Sequence, residues 1–163
     1  MSEPQADGAA QAPTTRPPSR IRVTWTGEHR FDTGRPNGPV AVIDGNGDTA
    51  QSPPDALLSA LASCSGVDVV DILAKRRTPV ESLTVEVEAR RREQMPRRFE
   101  HIVLDFRVNG AGIERVHAER AVRLAFEKYC SVAASLAPDI RIDAIVTLNG
   151  EAGERVRQPM FNG

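Results

Sequence analysis

Aromatic side chains are scarce, at 4% of 163 residues. One Trp, one Tyr and five Phe cannot furnish base-stacking platforms or aromatic cages. An excess of charge of one sign is also missing. Lys and Arg number 21 against 22 Asp and Glu, a formal charge of -1. That balance argues against a protein that coats nucleic acid or an anionic membrane. Only two cysteines are present, Cys64 and Cys130, so a disulfide-rich scaffold is excluded. The three histidines, His29, His101 and His117, are scattered and do not provide Cys/His zinc spacing. No metal and no cofactor is therefore expected. Nucleotide and hydrolase signatures are lacking as well. Gly45-Asn-Gly47 does not open a helix as a dinucleotide loop would, there is no GK[ST], and there is no G-x-S-x-G. The N-terminal segment has no continuous apolar run of the kind a secretory signal needs. The most apolar stretch, Ala56–Leu73, carries Asp68, Asp71 and three serines, which reads as a buried helix and not a membrane span. A cytoplasmic location, with reduced thiols, is expected.

What is there is one ordinary domain's length of chain. Residues 1–19, rich in Pro, Ala, Gly and Gln, are predicted to form a disordered tail. Ile21, Val23 and Trp25 alternate with Arg22, Thr24 and Thr26, which predicts a half-buried strand. Phe31 extends the sheet, Asp32–Pro39 is dense in turn residues, and Val40–Ile43 reads as a short strand. Ser52-Pro53-Pro54-Asp55 is a helix start, with a capping serine, prolines of preset φ and an early acid. The helix is predicted to run to about Arg77, ending on cations at its negative pole. Leu57, Leu61, Cys64, Asp68 and Ile72 share one stripe, widened by Leu58, Ala62, Val69 and Leu73. So broad an apolar surface belongs to a central helix.

Two strands follow, built on Leu83–Ala89 and Ile102–Val108 and joined by Glu93–Arg97. A second helix is predicted over about 114–134, burying Val116, Ala121, Leu124, Ala125 and Val132, with Cys130 in its last turns. A strand over about 140–148 places Ile140, Ile142 and Val146 opposite Arg141, Asp143 and Thr147. Residues 151–163 read as a loose tail. The order βββ-α-ββ-α-β gives an α+β class with largely antiparallel sheet, and residues 20–150 form its domain. The three histidines and the basic runs 75–77, 90–92 and 97–98 read as solvated surface.

Taken alone, each cysteine reads as a small buried hydrophobe. Cys64 is too far into its helix to gain from the dipole, and Asp68, one turn on, disfavours the thiolate. An activating cation has to come from another element, with Arg30 and Arg35 as candidates and Lys128 behind them.

The run Pro53-Pro-Asp-Ala-Leu-Leu-Ser-Ala-Leu-Ala-Ser-Cys64, with Ser-Gly-Val-Asp68-Val-Val-Asp-Ile-Leu73 after it, resembles the first-cysteine helix of the OsmC/Ohr family. Arg120-Ala-Val-Arg-Leu-Ala-Phe-Glu-Lys-Tyr-Cys130-Ser-Val132 resembles that family's second-cysteine helix. The likeness spans about residues 20–150 and is nearest an OsmC-like branch without a characterised activity. It implies an intertwined homodimer in which two central helices are wrapped by sheets from both subunits. It implies thiol-based, peroxiredoxin-type reduction of organic hydroperoxides, with Cys64 attacking the peroxide, Cys130 resolving the product and an external dithiol regenerating the pair. Arg35 is the residue assigned to thiolate stabilisation. In the peroxidase branches a Glu stands ten residues before the first cysteine; here that position is Pro54, followed by Asp55. This departure keeps a second reading open, a dimeric binding or redox-sensing module without peroxidase activity. Nucleic acid and membrane are not expected partners.

Overall fold

The computed structural model describes residues 16–159, so most of the predicted N-terminal tail lies outside the described residues. Residues 16–20 are exposed and without regular structure. The chain divides into two compact units, one reaching Ala50 and one beginning at Gln51.

The first unit is a three-stranded antiparallel sheet in the order β1 (Arg22–Gly27), β2 (Arg30–Gly34), β3 (Ala41–Asp44). Two expectations are corrected here. Strand β2 continues through Gly34, into the segment read as a loop, because Asp32 and Thr33 pair with both Val42–Ala41 and Thr24–Val23. The apolar face of β1 is open: Ile21, Val23 and Trp25 are all more than 60% exposed, where a half-buried strand was predicted. Asp44 closes β3. Its carboxylate accepts from Thr49 Oγ1 and from the Asn46 and Thr49 amides, which hold its pKa down at about 2.

The second unit packs helices on a five-stranded sheet. Helix α1 spans Pro53–Lys75. Ser52 caps it in a reciprocal box: Asp55 N donates to Ser52 Oγ, and Ser52 N donates to Asp55 Oδ2. The helix ends where Arg77 turns left-handed, at φ 64°. Leu61, Ala62, Ser65, Gly66, Val69 and Leu73 are buried, and Leu57, Val67 and Val70 are exposed. Gly66 faces the sheet, where a Cβ would meet Leu83 Cδ2 at 3.4 Å, so the helix approaches closely there. By length and composition α1 is apolar enough to cross a bilayer, at a mean hydropathy of 1.7, but here it lies on the sheet.

Strands β4 (Ser82–Arg91) and β5 (Phe99–Asn109) form a long antiparallel pair, as their alternation predicts. Strand β6 (Arg141–Leu148) runs parallel to β5, and the intervening helices make the crossover that a parallel pair requires. Ile102, Leu104, Phe106 and Val108 project from β5 into the core and are at most 1% exposed. Phe106 meets Phe126 edge to face, with ring centroids 6.3 Å apart. The segment after Leu148 is not a loose tail up to Pro159. β7 (Glu151–Ala152) and β8 (Val156–Arg157) both pair antiparallel with β6.

The second helix is broken, against expectation. Regular α2 covers Arg115–Leu124, a π-helical turn covers Ala125–Tyr129, and α3 is the single turn Ser131–Ala134. Cys130 between them is extended, at φ -68° and ψ 99°. Val116 is 60% exposed and not buried as predicted.

Asp143, assigned to the solvent side, is fully buried. Strand β6 is covered on both faces, so alternation there does not separate inside from outside. Burial alone would raise the Asp143 pKa, but the Arg141 guanidinium and the His101 ring hold it below the usual carboxylate range. His101 and His117 are accordingly half-buried and partnered, not free surface groups. A carboxylate with a depressed pKa adds stability above its unfolded value and loses it as pH falls through the folded value. Asp143→Asn is therefore expected to lose about 1.5–3 kcal/mol at pH 7. Urea unfolding of both proteins measures this. The gap should narrow below about pH 4; a gap unchanged at pH 3 would refute the ionic account.

Candidate functional site

The two cysteines come from different elements of the second unit and meet. Cys64 sits mid-way along α1 on the stripe that faces the C-terminal end of the second helical segment. Cys130 is delivered by the π-helical turn. Its amide donates to Ala125 O at 2.7 Å, five residues back, and the chain then straightens for one residue. Such a widened turn re-aims the side chains that follow it, and π-turns recur at functional sites. Here Tyr129 faces outward, 50% exposed, and Cys130 faces inward, 3% exposed.

The two Sγ atoms and a carboxylate oxygen of Asp68 all lie within 4.8 Å of one another. Both thiols are free. Cys64 Sγ is 4.0 Å from Ser131 Oγ, and Ala133 N donates to Cys130 Sγ at 3.4 Å. Burial, only partly offset by that amide and aided by the neighbouring Cys64, pushes the Cys130 thiol up to about 12. Cys64 is half-buried and is the more accessible of the pair.

Asp68 lies one turn from Cys64 on the same helix face. Its Oδ2 is buried with no hydrogen-bond partner among the described residues. Burial, and then the charge of Asp71, raise its pKa above the usual carboxylate range. From the sequence, Asp68 is a charge one turn from Cys64 that disfavours its thiolate. Only the structure shows it next to both sulfurs, and the i, i+4 spacing was the available signal.

Arg35 lies in the loop after β2 in the first unit, where its carbonyl accepts from Gly38 N at 2.9 Å. Arg30 is paired with Glu28 at 3.0 Å, and Lys128 sits over the Tyr129 ring. Within the unit that holds the cysteines, neither sulfur is hydrogen-bonded to a Lys, Arg or His among the described residues.

A cavity of about 310 Å³ opens beside Asp68. Ile72, Leu124 and Tyr129 supply its apolar wall, while Lys75, Arg76, Arg120 and His117 supply a basic one. Arg76 Nη2 donates to His117 Nε2 at 2.6 Å, which ties α1 to α2 at this edge. Lys75 and Arg76 of the exposed basic run at the end of α1 line this cavity. Asp68 and Asp71 also line this cavity, and neither cysteine does; Asp68 alone joins it to the thiol pair.

Comparison with known proteins agrees with this architecture. Residues 45–144 match the model of the family described as OsmC-like protein. The chain is 42% identical over 124 residues to Protein YhfA of Escherichia coli K12, covering 76% of this chain and 92% of that one. A hypothetical protein of Aquifex aeolicus superposes with a TM-score of 0.74 at 28% identity, covering 82% of this chain and 98% of its own. The organic hydroperoxide resistance protein OhrB of Bacillus subtilis shares the fold at a TM-score of 0.52 and 16% identity, with 81% and 98% covered. With an α+β fold that brings a cysteine from each of two helical segments together, and with matches of this extent, the chain belongs to the OsmC family.

Proposed function

We propose that the chain is a two-cysteine reductase of organic hydroperoxides that works as a homodimer in the cytoplasm. The observation that carries this reading is the approach of two free thiols from separate elements to within 4.8 Å, one half-buried and one buried. The Cys64 thiolate attacks the distal peroxide oxygen, the O–O bond breaks, and the alkoxide takes a proton to leave as alcohol. Cys64 is then a sulfenic acid. Cys130 attacks its sulfur, water leaves, and a disulfide remains. Asp68, beside both sulfurs, is placed to accept the Cys130 proton. An external dithiol reduces the disulfide by exchange, and Arg35 is assigned to stabilise the Cys64 thiolate.

A second copy of the chain suits the outer face of α1. Val67 and Val70 are exposed there, beside a groove of about 660 Å³ that Leu83 and Val85 also line.

The test is consumption of cumene hydroperoxide by the reduced protein with dithiothreitol, with mass spectrometry of the cysteines and light scattering on the same sample. The expected results are turnover, a Cys64–Cys130 disulfide and a dimeric mass. A protein that consumes no hydroperoxide refutes the peroxidase reading, and a monomeric mass removes the dimer. Pro54 favours one other reading, a redox-sensing module, because the carboxylate of the peroxidase branches is missing ten residues before Cys64. A disulfide formed by oxidant without catalytic turnover would select that reading.

A further inference from the structure

Cys64 and Asp68, one turn apart on α1, and Cys130, from the π-helical break, form a three-donor cluster whose ligand atoms lie within 4.8 Å of one another. We infer that the reduced pair and Asp68 form a binding site for a zinc-class divalent cation. The donor set is two soft sulfurs and one carboxylate oxygen, which suits Zn(II) better than Mg(II) or Ca(II). A tetrahedral ion with Zn–S near 2.3 Å and Zn–O near 2.1 Å needs its ligands roughly 3.5 Å apart. The spacing on α1 is the i, i+4 pair that helical metal sites use, and the third ligand crosses from a second element.

The second observation is the Asp68 Oδ2 atom. It is buried with no hydrogen-bond partner among the described residues, and a cation bound at this carboxylate satisfies it. No Lys, Arg or His of this unit is hydrogen-bonded to either sulfur among the described residues, so within this unit a bound ion is the group that adds positive charge beside the thiolates. On binding, each thiol releases its proton to solvent and no electron is transferred. Three protein ligands leave a fourth position for water, on the side of half-buried Cys64. Sequence inspection alone finds no metal motif because the ligands are 66 residues apart (Cys64 to Cys130) and no histidine takes part. The site shares its thiols with the peroxide chemistry, but it uses them only in their reduced form and is lost when they join as a disulfide.

The experiment titrates the reduced full-length protein with Zn(II) against a chromophoric chelator, and with Cd(II) while recording the thiolate-to-cadmium absorption band. One ion per chain and a band corresponding to two thiolates are expected. Asp68→Asn should weaken binding by about 10-fold or more, and Asp68→Glu should retain more affinity than Asp68→Asn. The double variant Cys64→Ser/Cys130→Ser and the disulfide form should show no cadmium band. Circular dichroism confirms that each variant is folded, and Asp68→Glu serves if Asp68→Asn is not. Absence of a cadmium band in the wild type, or affinity unchanged by Asp68→Asn, overturns the proposal. Hydroperoxide consumption is measured with a chelator present. A protein that turns over peroxide yet binds no cadmium overturns the metal site alone.

Discussion

Cys64→Ser is expected to lower hydroperoxide turnover by on the order of 10³-fold or more, the scale on which enzymes lose a nucleophile. Cys130→Ser is expected to behave differently. It should consume one equivalent of peroxide per chain and stop, leaving a sulfenic acid on Cys64 that dimedone traps. The asymmetry has a physical source in the site. Cys130 is 3% exposed and its thiol is pushed up to about 12, so at neutral pH it is almost entirely protonated and shielded from a bulky peroxide. Cys64 is half-buried and is the sulfur a substrate can reach. Once Cys64 is oxidised, the attack by Cys130 is intramolecular over a short distance, and its low reactivity toward free peroxide no longer matters. Rapid-mixing kinetics with mass spectrometry measure both variants. If Cys130→Ser lost the first turnover and Cys64→Ser kept it, the assigned roles would have to be exchanged.

Phe106→Ala is expected to cost about 3–5 kcal/mol, the usual range for emptying a buried aromatic site. Phe106 is fully buried on β5, and its ring contacts the Phe126 ring edge to face. Phe126 belongs to the π-helical turn that ends at Cys130. The substitution therefore removes the support under the turn that aims the second thiol. For a chain of this length the melting temperature should fall by about 10 °C. Disulfide formation after Cys64 oxidation should also slow, because Cys130 is held in place less firmly. Calorimetry and a quenched-oxidation time course check the two effects. A melting point within about 3 °C of wild type would mean that the core refills the space.

Much of the framework was legible in the residues. Alternation located β1, β4, β5 and β6 to within a few positions, and Ser52-Pro-Pro-Asp55 marked the start of α1 to the residue. These are local signals: side-chain period, capping chemistry and the fixed φ of proline act over a few residues and need no tertiary partner. The failures were equally physical. Asp143 stands at an outward position by alternation, yet β6 is covered on both faces, and Arg141 and His101 compensate the buried charge. The strands β7 and β8 are two residues each, too short to leave a periodic pattern. The π-helical turn left no mark either, because Ala125–Tyr129 has the composition of an ordinary helix.

By itself the sequence determined the element order as far as β6, the α+β class, the start of α1 and one cysteine in each of the two helical regions. It could do so because the hydrophobic period and the end signals are properties of adjacent residues. Tertiary structure alone decided that Cys64, Cys130 and Asp68 meet, that the carboxylate keeps a buried oxygen without a partner among the described residues, and that Cys130 is the protected sulfur. Proximity across 66 residues, counted from Cys64 to Cys130, depends on how α1 and the broken second helix pack, and packing is set by all the surfaces together. The scarcity of cysteine first looked like an absence of chemistry. The fold gathers the only two thiols of the chain into one site.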